Sequence, residues 1–306
     1  MSDAHAHAYA HGPTSARASR QTLIAWLFAA PFVVIFGFFM AMPLVSSFLM
    51  SFTDFTARDA RNPFSVDFVG LDNYIALFSD DRFLRSLGVT ATFVFIGIPL
   101  TMAIALALAV ALNSGIGRFK ALFRVGFYAP VVTSIVAVSV VWRYILQQHG
   151  LLNTFLGWFG ISGPAWLNDT RWALPALIMM AVWRNVGTLM VIFLAGLQAV
   201  PTEVQEAAMV DGATPWRRFW SVTLPLLRPT LLLGAVLISV GYLQFFEEAF
   251  VMTQGGPLDS TLSAAFYVFR QFGFGNYAQA SAASYILFLA IALLSLLQFR
   301  VLRRQD

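Results

Sequence analysis

Residues 200–225 read VPTEVQEAAMVDGATPWRRFWSVTLP, a charged stretch that lies between two long apolar runs. Pro201 predicts the start of a helix, because the first helical turn needs no amide donor at that position. Thr202 can cap this helix, and Glu203 and Glu206 favour the positive end of its dipole. We therefore expect a short amphipathic helix at the beginning of this stretch.

The end of this helix and the residues after it are also predictable. Gly212 can adopt the left-handed conformation that closes a helix, and a second helix is expected over Trp216–Val222, ahead of Pro225. The stretch is too polar to insert into lipid, yet it is anchored at both ends to apolar segments. Such a helix-turn-helix suits docking into a groove on a soluble partner.

The rest of the chain is dominated by apolar segments. Apolar residues make up 58% of the chain and charged residues 11%, whereas a soluble domain carries about 25% charged residues. Lipid offers backbone amides no partners, so spanning segments of about 20 residues are helical, and no alternating pattern of a β-barrel is present. We predict an all-α integral membrane protein with six transmembrane helices, over Leu23–Phe52, Leu87–Leu112, Leu122–Leu146, Ala173–Leu197, Thr230–Met252 and Ala282–Leu302.

The distribution of basic residues predicts the topology. The segments that connect the spans on the same side of the membrane as the N-terminus hold more arginine and lysine than those on the opposite side. Because cytoplasmic segments are enriched in these residues, both termini are expected in the cytoplasm. This bias also explains the net charge of +4 without a nucleic-acid partner. We divide the chain into a disordered cytoplasmic tail (1–20), a first transmembrane helix with its outer loop (21–85), a transmembrane core containing the 200–225 loop (86–302) and a cytoplasmic C-terminus (303–306).

Several function classes lack the residues that they require. The chain has no cysteine, and its single lysine, Lys120, does not follow the glycine-rich loop that binds nucleotide phosphates, so a partner must hydrolyse any ATP. His5, His7 and His11 lie in the polar tail without a fourth ligand, so we predict no metal site. A membrane enzyme would need a catalytic cluster, and an ion-driven transporter would need an internal repeat with broken helices. Neither pattern is present, and we predict that the chain is not itself an enzyme.

Polar and ionisable residues inside the predicted fourth and fifth helices form a second candidate site. At 100° per residue, Gly241, Gln244 and Glu248 fall on one stripe of the fifth helix, where the two polar side chains suit sugar hydroxyls. Two other interpretations stay open: Glu248 could pair with Arg184 as a structural bridge, or the glutamates could lie near the outer boundary of the membrane. The candidate cargo path comprises Arg184, Asn185, Thr188, Gly241, Gln244, Glu247 and Glu248.

The 200–225 stretch also carries a motif with a defined spacing. Glu206-Ala207-Ala208 is followed after three residues by Gly212, and after nine more by Val222-x-Leu224-Pro225. This pattern resembles the EAA loop of ABC importer permeases, from which it departs in having valine for isoleucine at position 222. Other segments resemble the carbohydrate branch of that family, the maltose-type permeases. These segments are Phe127–Thr133, Trp142-Arg143, Leu194–Gln198 and Gly255–Pro257.

This resemblance implies a type I ABC importer permease in a bacterial plasma membrane. It implies that the loop docks on one of two ATP-binding-cassette subunits, which bind ATP and magnesium, whereas this chain binds no cofactor. The residues implied in coupling to the ATPase are Glu203, Glu206, Ala207, Ala208, Asp211, Gly212, Leu224 and Pro225.

The resemblance also implies further partners and a cargo. A second, similar permease would complete a heterodimer. An extracytoplasmic solute-binding protein would deliver cargo to the outer loops, with Arg143, Trp142 and the Thr253–Ser260 loop as contacts. We expect a disaccharide or short oligosaccharide as the cargo. Glycerol-3-phosphate is the alternative, although a phosphate would require a more basic lining than Arg184 and Arg143 provide.

Overall fold

The computed structural model describes residues 15–62, 66–114 and 120–303, and the chain divides into two units, residues 1–50 and 51–306. The described regular structure is helical apart from one β-bridge, which confirms the all-α prediction. The α-helices are α1 (Ser15–Phe36), α2 (Met42–Met50), α3 (Asp72–Phe78), α4 (Asp81–Asn113), α5 (Lys120–Val132), α6 (Ile135–Ile145), α7 (Leu151–Trp158), α8 (Ala173–Gln198), α9 (Thr202–Val210), α10 (Pro215–Arg218), α11 (Leu224–Leu226), α12 (Arg228–Leu243), α13 (Glu247–Met252), α14 (Ala264–Gly273) and α15 (Tyr277–Arg303).

The first unit consists of α1 and α2, which are joined by a π-helical turn. Its membrane-spanning part covers Thr22–Met50, close to the first predicted span. None of the described side chains in this part is buried, as expected for an apolar helix surrounded by lipid. The disordered tail was predicted to cover residues 1–20, but α1 begins at Ser15. Residues 15–20 are therefore helical. The rest of that tail, with its three histidines, lies outside the described residues.

The second unit is built on the pairing of α4 with α8. Phe93 of α4 and Phe193 and Met180 of α8 are fully buried in the core that these helices share. α12 packs on the same pair, and it comes close because Gly97 of α4 has no side chain. A Cβ atom at Gly97 would lie 2.7 Å from the ring of Tyr242. The core therefore lies where α4, α8 and α12 meet.

Two of the predicted spans are bent pairs of helices. α5 and α6 meet at an angle of 100° around Thr133, just after Pro130, which lacks an amide donor. The Thr133 hydroxyl donates to the Ala129 carbonyl at 2.9 Å, which satisfies part of the interrupted backbone. The segment from α10 to α11 meets α12 at 67°, next to Pro229. Four helical segments are long and apolar enough to cross a membrane, and six spans result when each bent pair counts as one.

Two π-helical turns each end two residues before a proline, Pro43 or Pro225. In the first turn the amide of Met42 donates to the Gly37 carbonyl, five residues earlier, and the second turn ends in the same way at Leu224. A proline ring clashes with the carbonyl four residues before it and donates no hydrogen bond. Inserting one extra residue into the turn relieves this clash without ending the helix.

A buried tyrosine joins α14 to the start of α4. Tyr267 is 2% exposed, and its hydroxyl donates to Asp80 Oδ2 at 2.6 Å. Burial raises the pKa of Tyr267 above its ordinary value, and the neighbouring Asp80 carboxylate raises it further, so the hydroxyl keeps its proton. Asp80 also accepts from the Arg82 amide at 2.8 Å and so caps α4. This contact ties the outer segment between α13 and α15 to the core.

Replacing Tyr267 with phenylalanine is expected to destabilise the folded chain by about 1–2 kcal/mol, because a buried hydrogen bond to a charged acceptor is lost. The measurement is thermal unfolding of the purified chain in detergent. Tyr144→Phe is the matched control, since Tyr144 is exposed and forms no side-chain hydrogen bond within the described part of the chain. Equal unfolding temperatures for the two variants would contradict the anchoring role of Tyr267.

Candidate functional site

α9 is the short helix predicted at the start of the 200–225 loop, and it covers Thr202–Val210. Gly212 follows it with φ of +77°, in the left-handed region. The amide of Gly212 donates to the Met209 carbonyl at 3.0 Å, and that of Ala213 donates to the Ala208 carbonyl at 2.9 Å. These two bonds satisfy the last carbonyls of the helix. The predicted helix and its glycine stop are confirmed.

Two details of the predicted loop are wrong. Thr202 is the first residue of α9 and not its cap, because Pro201 already occupies the capping position and no side chain caps the helix. The second helix begins earlier than predicted, at Pro215, where the Thr214 hydroxyl caps its first turn. It then continues as the π-helical turn Phe219–Thr223 and not as a regular α-helix, because the extra residue in the turn relieves the clash that Pro225 would otherwise cause.

α9 turns both charged and apolar side chains outward. Glu206 is exposed, and Val210 is 88% exposed. The described residues form no ion pair with the carboxylates of this helix. Exposed apolar side chains on a polar helix are typical of a protein-binding element. The predicted coupling residues fall into two groups: Glu203, Glu206, Ala207, Ala208, Asp211 and Gly212 on or beside α9, and Leu224 and Pro225 half-buried in α11.

The predicted fifth transmembrane helix is broken near its outer end. α12 ends at Leu243, and α13 begins at Glu247. Within the break, Phe245 is buried, and its ring stacks on Phe93 of α4 with centroids 3.9 Å apart. The Ser263 hydroxyl donates to the Phe245 carbonyl at 2.6 Å and so satisfies a backbone group that the break leaves free. These contacts between distant parts of the chain stabilise the break.

The helical stripe predicted for Gly241, Gln244 and Glu248 is therefore not formed. A spacing of 100° per residue holds only within a continuous helix, and Gln244 lies beyond the end of α12. Gly241, Gln244 and Glu247 are exposed, whereas Glu248 is 5% exposed. The break separates the buried carboxylate from the exposed members of the stripe.

A cluster of polar side chains lies where α4, α8, α12 and α13 approach one another. The Tyr242 hydroxyl forms a 2.8 Å hydrogen bond with Thr101 and also interacts with the Asn185 side chain. Glu248 and Arg184 lie near one another in this cluster. Nevertheless, Glu248 Oε2 and Arg184 Nε have no hydrogen-bond partner within the described part of the chain. The direct bridge between these two side chains, one interpretation of the sequence, is not formed.

Sequence reasoning missed Tyr242 and Thr101, although both place a hydroxyl inside an apolar span. The available signal is Gly97, four residues before Thr101 on the same face of α4, which provides the space that the Tyr242 ring fills. Thr188 is half-buried, one helical turn beyond Arg184. Together these side chains offer hydroxyl, amide, carboxylate and guanidinium groups, which can donate to and accept from a ligand with many hydroxyls.

A polar cavity of about 350 Å³ lies at the outer end of α6. Residues of the Thr253–Ser260 loop form one wall, so the structure brings this loop next to Arg143. Trp142 does not line the cavity and packs instead on Trp183 of α8, with ring centroids 5.6 Å apart. The longer polar side chains of the lining belong to Arg143, Gln147, Gln148, Asn168 and Gln254.

The Thr253–Ser260 loop is held in place by charged contacts. Asp259 forms ion pairs with Arg82 at 3.3 Å and with Arg270 at 3.2 Å. Arg270 also donates to a backbone carbonyl of the loop at 2.9 Å. Leu258 has a left-handed backbone with φ of 51° and a side chain that is 80% exposed. The loop therefore presents a preformed outer surface with an exposed apolar side chain.

The amino-acid sequence is similar to those of known transport proteins. Residues 74–306 match the family described as "Binding-protein-dependent transport system inner membrane component". The lactose transport system permease protein of Rhizobium radiobacter is 34% identical over 286 residues, 92% of this chain and 94% of that protein. The trehalose/maltose transport system permease protein of Thermococcus litoralis is 30% identical over 96% of this chain and 98% of that protein. The arabinooligosaccharides transport system permease protein of Bacillus subtilis is 31% identical over 90% and 87%, respectively.

A solved structure shares the fold. It is a chain from a bacterial ABC transporter involved in the import of the acidic polysaccharide alginate, with a TM-score of 0.81 and 23% sequence identity. The match covers 95% of this chain and 99% of that chain. The chain therefore belongs to the binding-protein-dependent transport system inner membrane components, and it is a multi-pass permease subunit of an ABC importer in the bacterial plasma membrane.

Proposed function

We propose that this permease subunit translocates a small neutral sugar, a disaccharide or a short oligosaccharide. The observation that carries the proposal is the pair of unsatisfied buried atoms, Glu248 Oε2 and Arg184 Nε, beside Asn185 and Tyr242. Sugar hydroxyls both donate and accept, so they can satisfy a carboxylate and a guanidinium at once. The names of the relatives, which refer to lactose, arabinooligosaccharides and trehalose or maltose, support the same cargo class.

The exposed residues of the predicted cargo path fit a cavity shared with a second permease. Gly241, Gln244 and Glu247 are exposed in this chain, although they lie in or next to the broken fifth span. Polar side chains at membrane depth normally face a wet cavity or another protein. A second, homologous permease would close such a cavity on this side, and this chain would contribute Thr188 and, behind the exposed residues, the buried Glu248.

Energy for transport would come from two ATP-binding-cassette subunits, which bind ATP and magnesium, and this chain would bind no cofactor itself. α9 would dock on one of these subunits. Glu203, Glu206 and Asp211 would face its basic groups, and the left-handed Gly212 would allow the sharp turn that follows. Leu224 and Pro225 would pass the motion on to α12, since they lie directly before the 67° bend.

Cargo would arrive from an extracytoplasmic solute-binding protein at the outer surface. The Thr253–Ser260 loop and Arg143 form a continuous polar wall there, and Leu258 adds an exposed apolar contact. Trp142 would support this wall from behind through its contact with Trp183. A preformed docking surface reduces the ordering cost of binding.

The direct test measures ATP hydrolysis by the complex purified after co-expression with the genomic neighbours of this chain. The binding protein is added either empty or loaded with candidate sugars. We expect a disaccharide or an oligosaccharide to stimulate hydrolysis. Stimulation by glycerol-3-phosphate alone would replace the sugar proposal with its alternative. A chain that purifies without an ATPase partner would overturn the proposed assembly.

The double variant Gln244→Ala, Glu248→Ala is expected to reduce uptake of the stimulating sugar at least about tenfold, since two hydrogen-bonding groups are removed from the proposed path. Uptake of the labelled sugar is measured in vesicles that contain equal amounts of assembled complex. Asp81→Ala, which removes an exposed carboxylate on the outer surface, serves as the control and should retain uptake. Normal uptake by the double variant would remove both residues from the cargo path.

A further inference from the structure

An apolar groove of about 610 Å³ lies between α4 and the second half of the 200–225 loop. Exposed alanines of α4 form its floor, and aromatic side chains of the loop form its opposite wall. Trp216 is 72% exposed, and its ring meets that of Trp220 edge-on, with centroids 5.6 Å apart. The residues that shape the groove are Ala103, Ala107, Ala111, Trp216, Phe219 and Trp220.

The groove lies at the cytoplasmic end of α4. This helix begins at Asp81, where its outer end is tied to α14, and it ends at Asn113, so the alanines occupy its last third. The wall of tryptophans belongs to the loop that we place in the cytoplasm. Tryptophan favours the boundary between acyl chains and lipid headgroups. The groove therefore opens at the level of the inner leaflet.

Two positive charges lie in the same short helix, α10, between the lining residues Trp216 and Phe219. Arg217 and Arg218 follow Trp216 directly, one exposed and the other half-buried. Within the described part of the chain, the ion pairs of arginine involve Arg82 and Arg270 on the outer side, and neither Arg217 nor Arg218 has a carboxylate partner. An apolar groove with two unpaired cations in the helix that supplies its wall combines the two features that bind an anionic lipid.

We propose that this groove binds an anionic phospholipid of the inner leaflet. An acyl chain occupies the space between the alanines of α4 and the aromatic wall, and the anionic headgroup contacts Arg217 and Arg218. A zwitterionic phospholipid fills the same space but brings no net charge to neutralise the arginines. The bound lipid connects α4 to α10, so it braces the second half of the loop against the membrane core.

The test uses the full-length chain purified with its partner subunits and reconstituted into vesicles with brominated phospholipids, which quench tryptophan fluorescence on contact. Subtracting the fluorescence of the Trp216→Phe, Trp220→Phe variant leaves the fluorescence of the two groove tryptophans alone. Brominated phosphatidylglycerol is expected to quench the groove signal with roughly tenfold higher apparent affinity than brominated phosphatidylcholine, since two cations contact the headgroup.

Matched variants separate the two parts of the site. Arg217→Gln, Arg218→Gln should abolish the preference for phosphatidylglycerol while retaining quenching, whereas Arg124→Gln, at an exposed arginine of α5, should keep the preference. Ala107→Leu should lower quenching by both lipids because it fills the groove. Equal quenching of the original chain by the two lipids would overturn the proposal, and so would a groove signal that neither lipid quenches, as expected if another protein segment covers the groove.

Discussion

Replacing Glu206 with lysine is expected to abolish the sugar-stimulated ATP hydrolysis of the assembled importer, with at least a tenfold fall toward the basal rate. Glu206 is exposed in the middle of α9, and no ion pair within the described chain holds it. If α9 docks in a basic groove, the reversed charge meets like charges there and weakens the contact. The measurement is ATP hydrolysis with the loaded binding protein, together with the amount of this chain in the membrane fraction.

The control for this prediction reverses a charge on the opposite side of the membrane. Asp67 is exposed in the outer loop, and Asp67→Lys should leave ATP hydrolysis close to normal. Glu206→Gln should fall between the original chain and the lysine variant, because it removes attraction without adding repulsion. Full stimulation in a Glu206→Lys complex that contains its normal complement of ATPase subunits would exclude the proposed role of α9.

Replacing Gly187 with alanine is expected to destabilise the permease by about 3 kcal/mol. Gly187 of α8 lies against the backbone of α5, where an added Cβ would overlap the carbonyl oxygen of Phe127 and lie 2.9 Å from its carbonyl carbon. Backbone atoms cannot rotate away as a side chain can, so α5 must shift as a whole. We expect the thermal unfolding temperature in detergent to fall by several degrees.

Gly126→Ala provides a control within the same pair of helices. Gly126 lies on α5, and a Cβ atom added there would meet nothing within 4 Å. Alanine is favoured over glycine inside a helix by up to about 1 kcal/mol, so this variant should be neutral or slightly more stable. Similar losses of stability at Gly126 and Gly187 would show that the backbone contact between α5 and α8 is not the cause.

The transmembrane segments were largely predictable because hydropathy is a local property. The predicted span Ala173–Leu197 differs from α8 by a single residue at one end. The span Leu87–Leu112 is shorter than α4, which continues outward to Asp81. Hydropathy reports only the part that lies in lipid, whereas the outer turns of α4 are stabilised by the Asp80 cap and its contact with Tyr267.

The two parts of the candidate site were predictable to different degrees. α9 depends on neighbours in the sequence, a proline before the helix and a glycine after it, and its presence and its stop at Gly212 were predicted correctly. The cargo path depends on where α12 ends. The residues around Gln244 are apolar enough for a helix to continue, so periodicity placed Gln244 and Glu248 on one stripe and left Tyr242 unnoticed.

The sequence by itself determined the fold class, the apolar spans and the short helix α9, because composition, hydropathy and helix-ending residues act over a few neighbouring positions. Only the tertiary structure decided that the fifth span breaks at Phe245, that Glu248 and Arg184 remain without hydrogen-bond partners, and that Arg143 faces the Thr253–Ser260 loop. Each of these features depends on contacts between residues far apart in the chain, such as Phe245 with Phe93, which no local pattern encodes.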